Sequence, residues 1–348
     1  MRRIDRLREL LGADEAVYIT AYPDIFYYSG FQSADARLLI SKSKAIIITD
    51  SRYTIQAREQ APDFELYDIK NGLDGAFSFV DAETIGYQEE HISAKKLDMA
   101  KDAAKDKAFL PMQDKISSLR EVKEKTEIDR IRAAERLGDE AFSYILERIT
   151  AGRSEREIAL EIEFYMRKHG ASGLSFETIV ASGVRSAMPH GVASEKLIEK
   201  GDLVTLDFGC VLDGYCSDMT RTVAVGSLCE RGRHIYDVVK TAQQTALGAV
   251  VVGARLADVD KVARDIITKA GFGENFGHSL GHSVGIEIHE TPCFSPKAEG
   301  EVKNGNVITV EPGIYIEGFG GVRIEDLTAV YDGKCEVLSQ STKELIIL

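Results

Sequence analysis

Apolar residues recur along this chain with two different periods. Ile4, Leu7, Leu10 and Leu11 are spaced for one face of a helix. Three short apolar runs follow, at 16–19, 36–40 and 45–49, and these predict strands. Residues 52–60 and 93–105 predict helices between later strands, and Pro111 punctuates the end of this unit. The pattern predicts a small α/β domain over residues 1–115. From Ser118 a helical period takes over, with Ile128, Ile131, Ala134, Leu137, Ala141, Tyr144 and Ile145 on one face. Ser154 followed by Glu157 is a capping-box signature for a second helix that stops near Gly170. Hairpin signals then alternate with helices expected at 232–251 and 258–270. Strands and helices arriving in blocks, without a regular βαβ rhythm, predict an α+β domain over 116–348.

One hairpin can be read in register. Between residues 203 and 209 the chain alternates, with Val204, Leu206 and Phe208 on one face and Thr205 and Asp207 on the other. Asp213-Gly214 is a strong two-residue turn signal. A turn there pairs 212 with 215, and therefore 209 with 218. Asp207 and Asp218 become diagonal neighbours on one face, about 7–8 Å apart at Cα. Alone, each residue fits a buried or turn-proximal aspartate; the register and the residues below favour convergence.

Composition narrows the field. The 348 residues are 44% hydrophobic and 28% charged, ordinary for a globular protein. A net charge of −13 without a dense basic run argues against a nucleic-acid partner. Five cysteines lack any C-x-x-C spacing and read as reduced thiols. The basic start is followed by no apolar signal region, and no apolar run reaches membrane-spanning length. The expectation is a cytoplasmic protein with no membrane partner.

The chemistry lies in the C-terminal half. Asp207, Asp218, His282, Glu311 and Glu325 give four carboxylates and one imidazole, each at or near the end of a strand-like or Gly-punctuated segment. This oxygen-rich set suits two divalent ions such as Mn²⁺ or Co²⁺ better than a thiolate-bound structural zinc. Two ions held by shared carboxylates make a hydrolytic centre. Three of the seven histidines (His278, His282 and His289) fall within 277–290, among glycines that allow close backbone approach. Glu311 ends an apolar strand, where a carboxylate is costly unless paired or metal-bound. Arg323 and Glu325 share a face, and Asp326 is expected to be solvated. Each half of this domain supplies two of the carboxylates.

These residues resemble the pita-bread metallopeptidases, specifically the aminopeptidase P and prolidase branch that cleaves Xaa-Pro bonds. The resemblance rests on Asp207-Phe208-Gly209 with Ser217-Asp218-Met219-Thr220-Arg221-Thr222, on Gly281-His282-x-x-Gly285 through His289-Glu290, on Glu311-Pro312-Gly313, and on Val322-Arg323-Ile324-Glu325-Asp326. Thr49-Asp50-Ser51-Arg52-Tyr53 is similar to a segment of the branch's smaller domain, with Ser51 where glycine is usual. The resemblance implies a pita-bread catalytic domain preceded by a creatinase-type α/β domain. It implies that Asp207 holds one metal, that Asp218 and Glu325 bridge two, and that His282 and Glu311 complete the other. The two divalent ions would be Mn²⁺ first, with Co²⁺ or Zn²⁺ as alternatives. Glu311 would also carry the proton, His190 and His289 would contact the scissile carbonyl, and His278 and Arg323 would line the substrate pocket. The expected function is an Xaa-Pro aminopeptidase acting on short proline-containing peptides as a homodimer. The alternatives are an Xaa-Pro dipeptidase and, more remotely, a non-catalytic peptide-binding module. Methionine aminopeptidases usually lack the N-terminal domain, and creatinases are metal-free.

Overall fold

The apolar runs near the N-terminus build the middle of one six-stranded sheet. In the computed structural model, which describes residues 2–348, contacts divide the chain into Met1–Arg120 and Glu121–Leu348. The first unit contains β1 (Glu15–Ile19), β2 (Arg37–Ser41), β3 (Ala45–Thr49), β4 (Glu65–Asp68), β5 (Thr84–Tyr87) and β6 (Ala108–Pro111), in the order β4-β3-β2-β1-β5-β6. β1, β2 and β3 pair antiparallel, whereas β1-β5, β5-β6 and β3-β4 are parallel. Tyr18, Leu39, Ile46 and Ile48 join one core cluster. Val17, Ile19, Leu38, Ile40 and Ile47, on the alternate positions, are buried too. Both faces are covered, so these strands read as continuous apolar runs instead of alternating ones. The helices of this unit are α1 (Arg3–Leu10), α2 (Tyr22–Ser29), α3 (Thr54–Gln60), α4 (Leu73–Ser78), α5 (Ala94–Ala103) and α6 (Gln113–Ser117). α3 starts two residues later than the periodicity predicts, because Asp50 Oδ1 accepts from Arg52 N and holds a turn there.

The second unit opens on α7 (Lys125–Leu146), not at Ser118 as the sequence pattern predicts. Ser118–Arg120 forms only a 3₁₀ turn. Glu124 and Glu127 form a reciprocal capping box, and that fixes the later start. The helix buries Ile128, Ile131, Ala134, Leu137, Ala141 and Ile145, with Glu135 on the same side. α8 (Glu155–Lys168) has the expected Ser154–Glu157 capping box. These two helices cover β8 (Ile179–Ser182), β9 (Leu203–Phe208) and β12 (Met219–Ala224), which pair antiparallel. The smaller sheet beside them has β7 (Gly173–Leu174), β10 (Cys210–Leu212) and β11 (Tyr215–Cys216).

The hairpin register is as predicted. Leu212 faces Tyr215, and Asp207 faces Thr220. Asp213 and Gly214 have φ of 49° and 81°, the left-handed values of a type I′ turn. Gly209 sits where one sheet gives way to the other. A Cβ there would lie 1.9 Å from the Ser217 carbonyl oxygen.

The other half repeats the plan. α9 (Glu230–Ala249) and α10 (Leu256–Lys269) pack on a sheet ordered β14-β13-β15-β18-β19. Its strands are β13 (Gly281–Ser283), β14 (Glu290–Phe294), β15 (Val307–Val310), β18 (Asp326–Tyr331) and β19 (Lys334–Val337), with a separate hairpin of β16 (Gly313–Ile316) and β17 (Gly320–Arg323). All five cysteines are free. Among the described residues, no helix is long and apolar enough to cross a membrane.

Asp326 corrects the sequence reading. It is fully buried, not solvated. Arg221 donates to its Oδ1 at 2.8 Å, Gln243 donates to its Oδ2 at 2.8 Å, and Lys343 closes on the same oxygen.

Candidate active site

Four carboxylates meet at the junction of the two halves of the second unit. Asp207 comes from β9 and Asp218 from the residue before β12. Glu311 follows β15, and Glu325 lies between β17 and β18. Oxygens of Asp207, Asp218 and Glu325 lie within 4.8 Å of one another. Glu311 joins them through His282, whose Nε2 lies 3.4 Å from Asp218 Oδ2 and 3.5 Å from Glu311 Oε1. The β13–β14 pairing breaks register between His282 and Ser283, with Thr291 and Pro292 of β14 left outside it. His282 Nδ1 lies 3.2 Å from the Ser283 carbonyl oxygen. That contact assigns the proton to Nδ1 and leaves the Nε2 lone pair facing the two carboxylates.

The cluster is repulsive as it stands. Burial, then Glu325, Asp207 and Glu311, push the Asp218 carboxyl well above its ordinary range. Burial and the neighbours Glu311 and Asp207 do the same to Glu325. Burial pushes Glu311 up to about 8, with Asp207 adding to the rise. Burial, then His289, lowers His282 to about 4, so its imidazole is neutral at neutral pH. Asp207 Oδ1 and Glu325 Oε1 are buried without a hydrogen-bond partner. Gathered anions, orphaned oxygens and an aimed nitrogen lone pair fit divalent cations, which would relieve all three at once.

Every predicted site residue lines one cavity of about 490 Å³: Asp207, Asp218, His282, Glu311 and Glu325 with His190, His278, His289 and Arg323. The His289 ring meets the His282 ring edge-on at 4.4 Å. His278 Nε2 lies 3.0 Å from the Tyr315 hydroxyl, which accepts from Arg323 Nη1 at 2.8 Å. Burial, then Arg323, lowers His278 to about 4. Phe176, Ile179, Val192 and Ile288 supply an apolar wall.

Three supporting residues went unread in the sequence. Thr220 Oγ1 donates to Glu325 Oε2 at 2.7 Å, and Thr309 Oγ1 donates to Glu311 Oε1 at 3.1 Å. Each threonine stands two positions from a carboxylate of the cluster, so period-two counting from Asp218 and Glu311 reaches both. Tyr315 carries no comparable signal, because its partners arrive from other segments.

Residues 129–332 match the family described as Metallopeptidase family M24, and residues 3–122 match the Creatinase/Prolidase N-terminal domain. The chain is 37% identical to an Xaa-Pro dipeptidase of Pyrococcus furiosus over 99% of each chain. Its structure superposes on an Xaa-Pro dipeptidase from Bacillus anthracis with a TM-score of 0.96 and 42% identity, covering 99% of both chains. An X-Pro aminopeptidase from Thermotoga maritima gives a TM-score of 0.93 and 38% identity, over 99% of this chain and 100% of that one. The matches bear out the expected architecture of a creatinase-type N-terminal domain followed by a pita-bread catalytic domain.

Proposed function

This chain belongs to metallopeptidase family M24, and from that premise we propose that it is an Xaa-Pro dipeptidase, freeing the residue ahead of proline from dipeptides. It is a metallo-exopeptidase. The motifs alone favour an Xaa-Pro aminopeptidase, with the dipeptidase as the alternative. The relatives at 37% and 42% identity, both named Xaa-Pro dipeptidases, favour the alternative. The Thermotoga likeness supports aminopeptidase as the second reading.

The observation that carries a metal-dependent mechanism is the pair of buried, unpartnered oxygens on Asp207 and Glu325. Asp207, Asp218, His282, Glu311 and Glu325 would hold two divalent ions, Mn²⁺ first, with Co²⁺ or Zn²⁺ as alternatives. Bound there, such ions polarise a carbonyl and lower the pKa of a water. His190 and His289 would donate hydrogen bonds to the scissile carbonyl oxygen as it gains charge. Glu311 would hold a proton on its carboxylate and pass it to the proline nitrogen, which has no hydrogen of its own. Arg323 keeps Asp207 oriented, and with His278 it lines the end of the pocket. The apolar wall of Phe176, Ile179, Val192 and Ile288 would seat the proline ring and exclude water. A homodimer in the cytoplasm completes the reading.

The test is direct. Mn²⁺-loaded protein is incubated with an Xaa-Pro dipeptide and an Xaa-Pro-Yaa tripeptide, with and without chelator, and products are identified by mass. Chelator-sensitive cleavage of the dipeptide alone is the expected result. Release of Xaa from the tripeptide would establish the aminopeptidase instead. Cleavage of neither would sink both readings.

A further inference from the structure

Among the described residues, no hydrogen bond holds the His190 imidazole. Its place over the cavity therefore depends on its loop, residues 183–193. The loop leaves β8 at Ser182 and ends at Ser194, and one side chain takes both ends. Glu155, the first residue of α8, has 0% exposure. Its Oε1 accepts from Ser182 N at 2.7 Å and Ser182 Oγ at 2.9 Å. Its Oε2 accepts from Ser194 N at 3.1 Å, Ser194 Oγ at 2.6 Å and Arg185 Nε at 2.9 Å. Arg185 then crosses the loop, donating from Nη2 to the Val192 carbonyl at 2.7 Å. A buried carboxylate without donors is costly, so the loop ends are tied to one arrangement.

The far side of the loop reaches the site. Gly321 N donates to Ser186 Oγ at 2.8 Å, and Arg323 Nη1 donates to the Pro189 carbonyl at 3.2 Å, one residue from His190. Glu155 itself does not line the cavity. We infer that Glu155 is a positioning residue, clamping both ends of the 183–193 loop so that His190 is held at the reacting carbonyl. This rests on the role proposed for His190.

Glu155→Gln keeps the side-chain shape but replaces one acceptor oxygen by an NH₂ donor, so one serine pair loses its acceptor. Amide hydrogen exchange on the full chain needs no substrate, and exchange across 183–193 is expected to rise roughly tenfold or more over the remainder of the unit. With an Xaa-Pro substrate, kcat is expected to fall roughly 10- to 100-fold with little change in KM. In a double-mutant cycle, Glu155→Gln should slow His190→Ala no further. If Glu155→Gln does not fold, Ser194→Ala weakens one end of the clamp by its hydroxyl bond alone, leaving the Ser194 N and Arg185 donors, and the same three readouts apply in the same direction with smaller size. Unchanged loop exchange, faster exchange with unchanged kcat, or deficits that multiply in the double variant would each overturn the inference. Should the wild type cleave no Xaa-Pro peptide, the dipeptidase reading falls separately. Exchange then decides the clamp: faster supports it, unchanged removes it.

Discussion

Arg323 Nη2 donates to Asp207 Oδ2 at 2.6 Å, and both side chains are almost withdrawn from solvent. The same guanidinium reaches Thr220 Oγ1 through Nε at 3.0 Å and the Tyr315 hydroxyl through Nη1. One planar fork thus ties a carboxylate of the cluster to two neighbours. A lysine ammonium keeps the charge but cannot span those directions. Arg323→Lys should cost roughly 10- to 100-fold in kcat/KM. Steady-state kinetics check this, and wild-type turnover would mean that the fork contributes charge alone.

Asp218 gives a prediction for the ion-free protein. Its folded pKa lies above the unfolded value of 3.8, by burial and by repulsion from Glu325. The associated stability is present below about 3.8 and is lost as pH rises through the folded value. Asp218→Asn removes that loss. In chelator it should be more stable than wild type at alkaline pH, yet gain no melting temperature from added Mn²⁺ and have no activity. A variant that still responds to Mn²⁺ would exclude Asp218 as a ligand.

His278 sets an acid limit. Its folded value of about 4 lies below the unfolded 6.5, chiefly by burial. The stabilisation is complete above about 6.5 and disappears as pH falls through about 4. Urea titrations in chelator should show about 3 kcal/mol of stability lost over that window, and His278→Gln should flatten part of the slope. Parallel curves for the two proteins would count against it.

Asp326 neutralises Arg221 behind the site, and Arg221 also donates to the Glu325 carbonyl oxygen. Asp326→Ala strands a buried guanidinium, and the expected loss is about 3–5 kcal/mol. Denaturant midpoints measure it; a loss below 1 kcal/mol would show that water reaches the gap.

What could be read in the sequence was local in origin. The Asp207–Asp218 relation follows from the turn at Asp213-Gly214 by counting outward. Glu311 stands out because an acid ends an apolar strand. Asp326 could not be read this way, since its partners Arg221 and Gln243 lie 105 and 83 positions away. Glu135 is a mixed case. It is a buried polar residue on the apolar face of α7, four positions after Ile131. Its bonds from Asp218 N and Ser339 Oγ depend on tertiary packing that helical spacing does not encode. The aminopeptidase–dipeptidase choice was not legible for a similar reason, because the space beyond proline is shaped by segments distant from the motifs.

The Thr220–Glu325 bond spans 105 positions and the Asp207–Arg323 bond 116. During synthesis, then, the first hairpin emerges with its aspartates long before the residues that complete their surroundings. A ribosome-bound chain halted before Glu325 has two acids on a strand pair and no finished cage. Such long-range closure is slow compared with local pairing, so an ion held by the proposed cage would enter at the last stage of folding. On the proposed reading, excess divalent ion in a refolding mixture would stabilise the product without guiding its first steps.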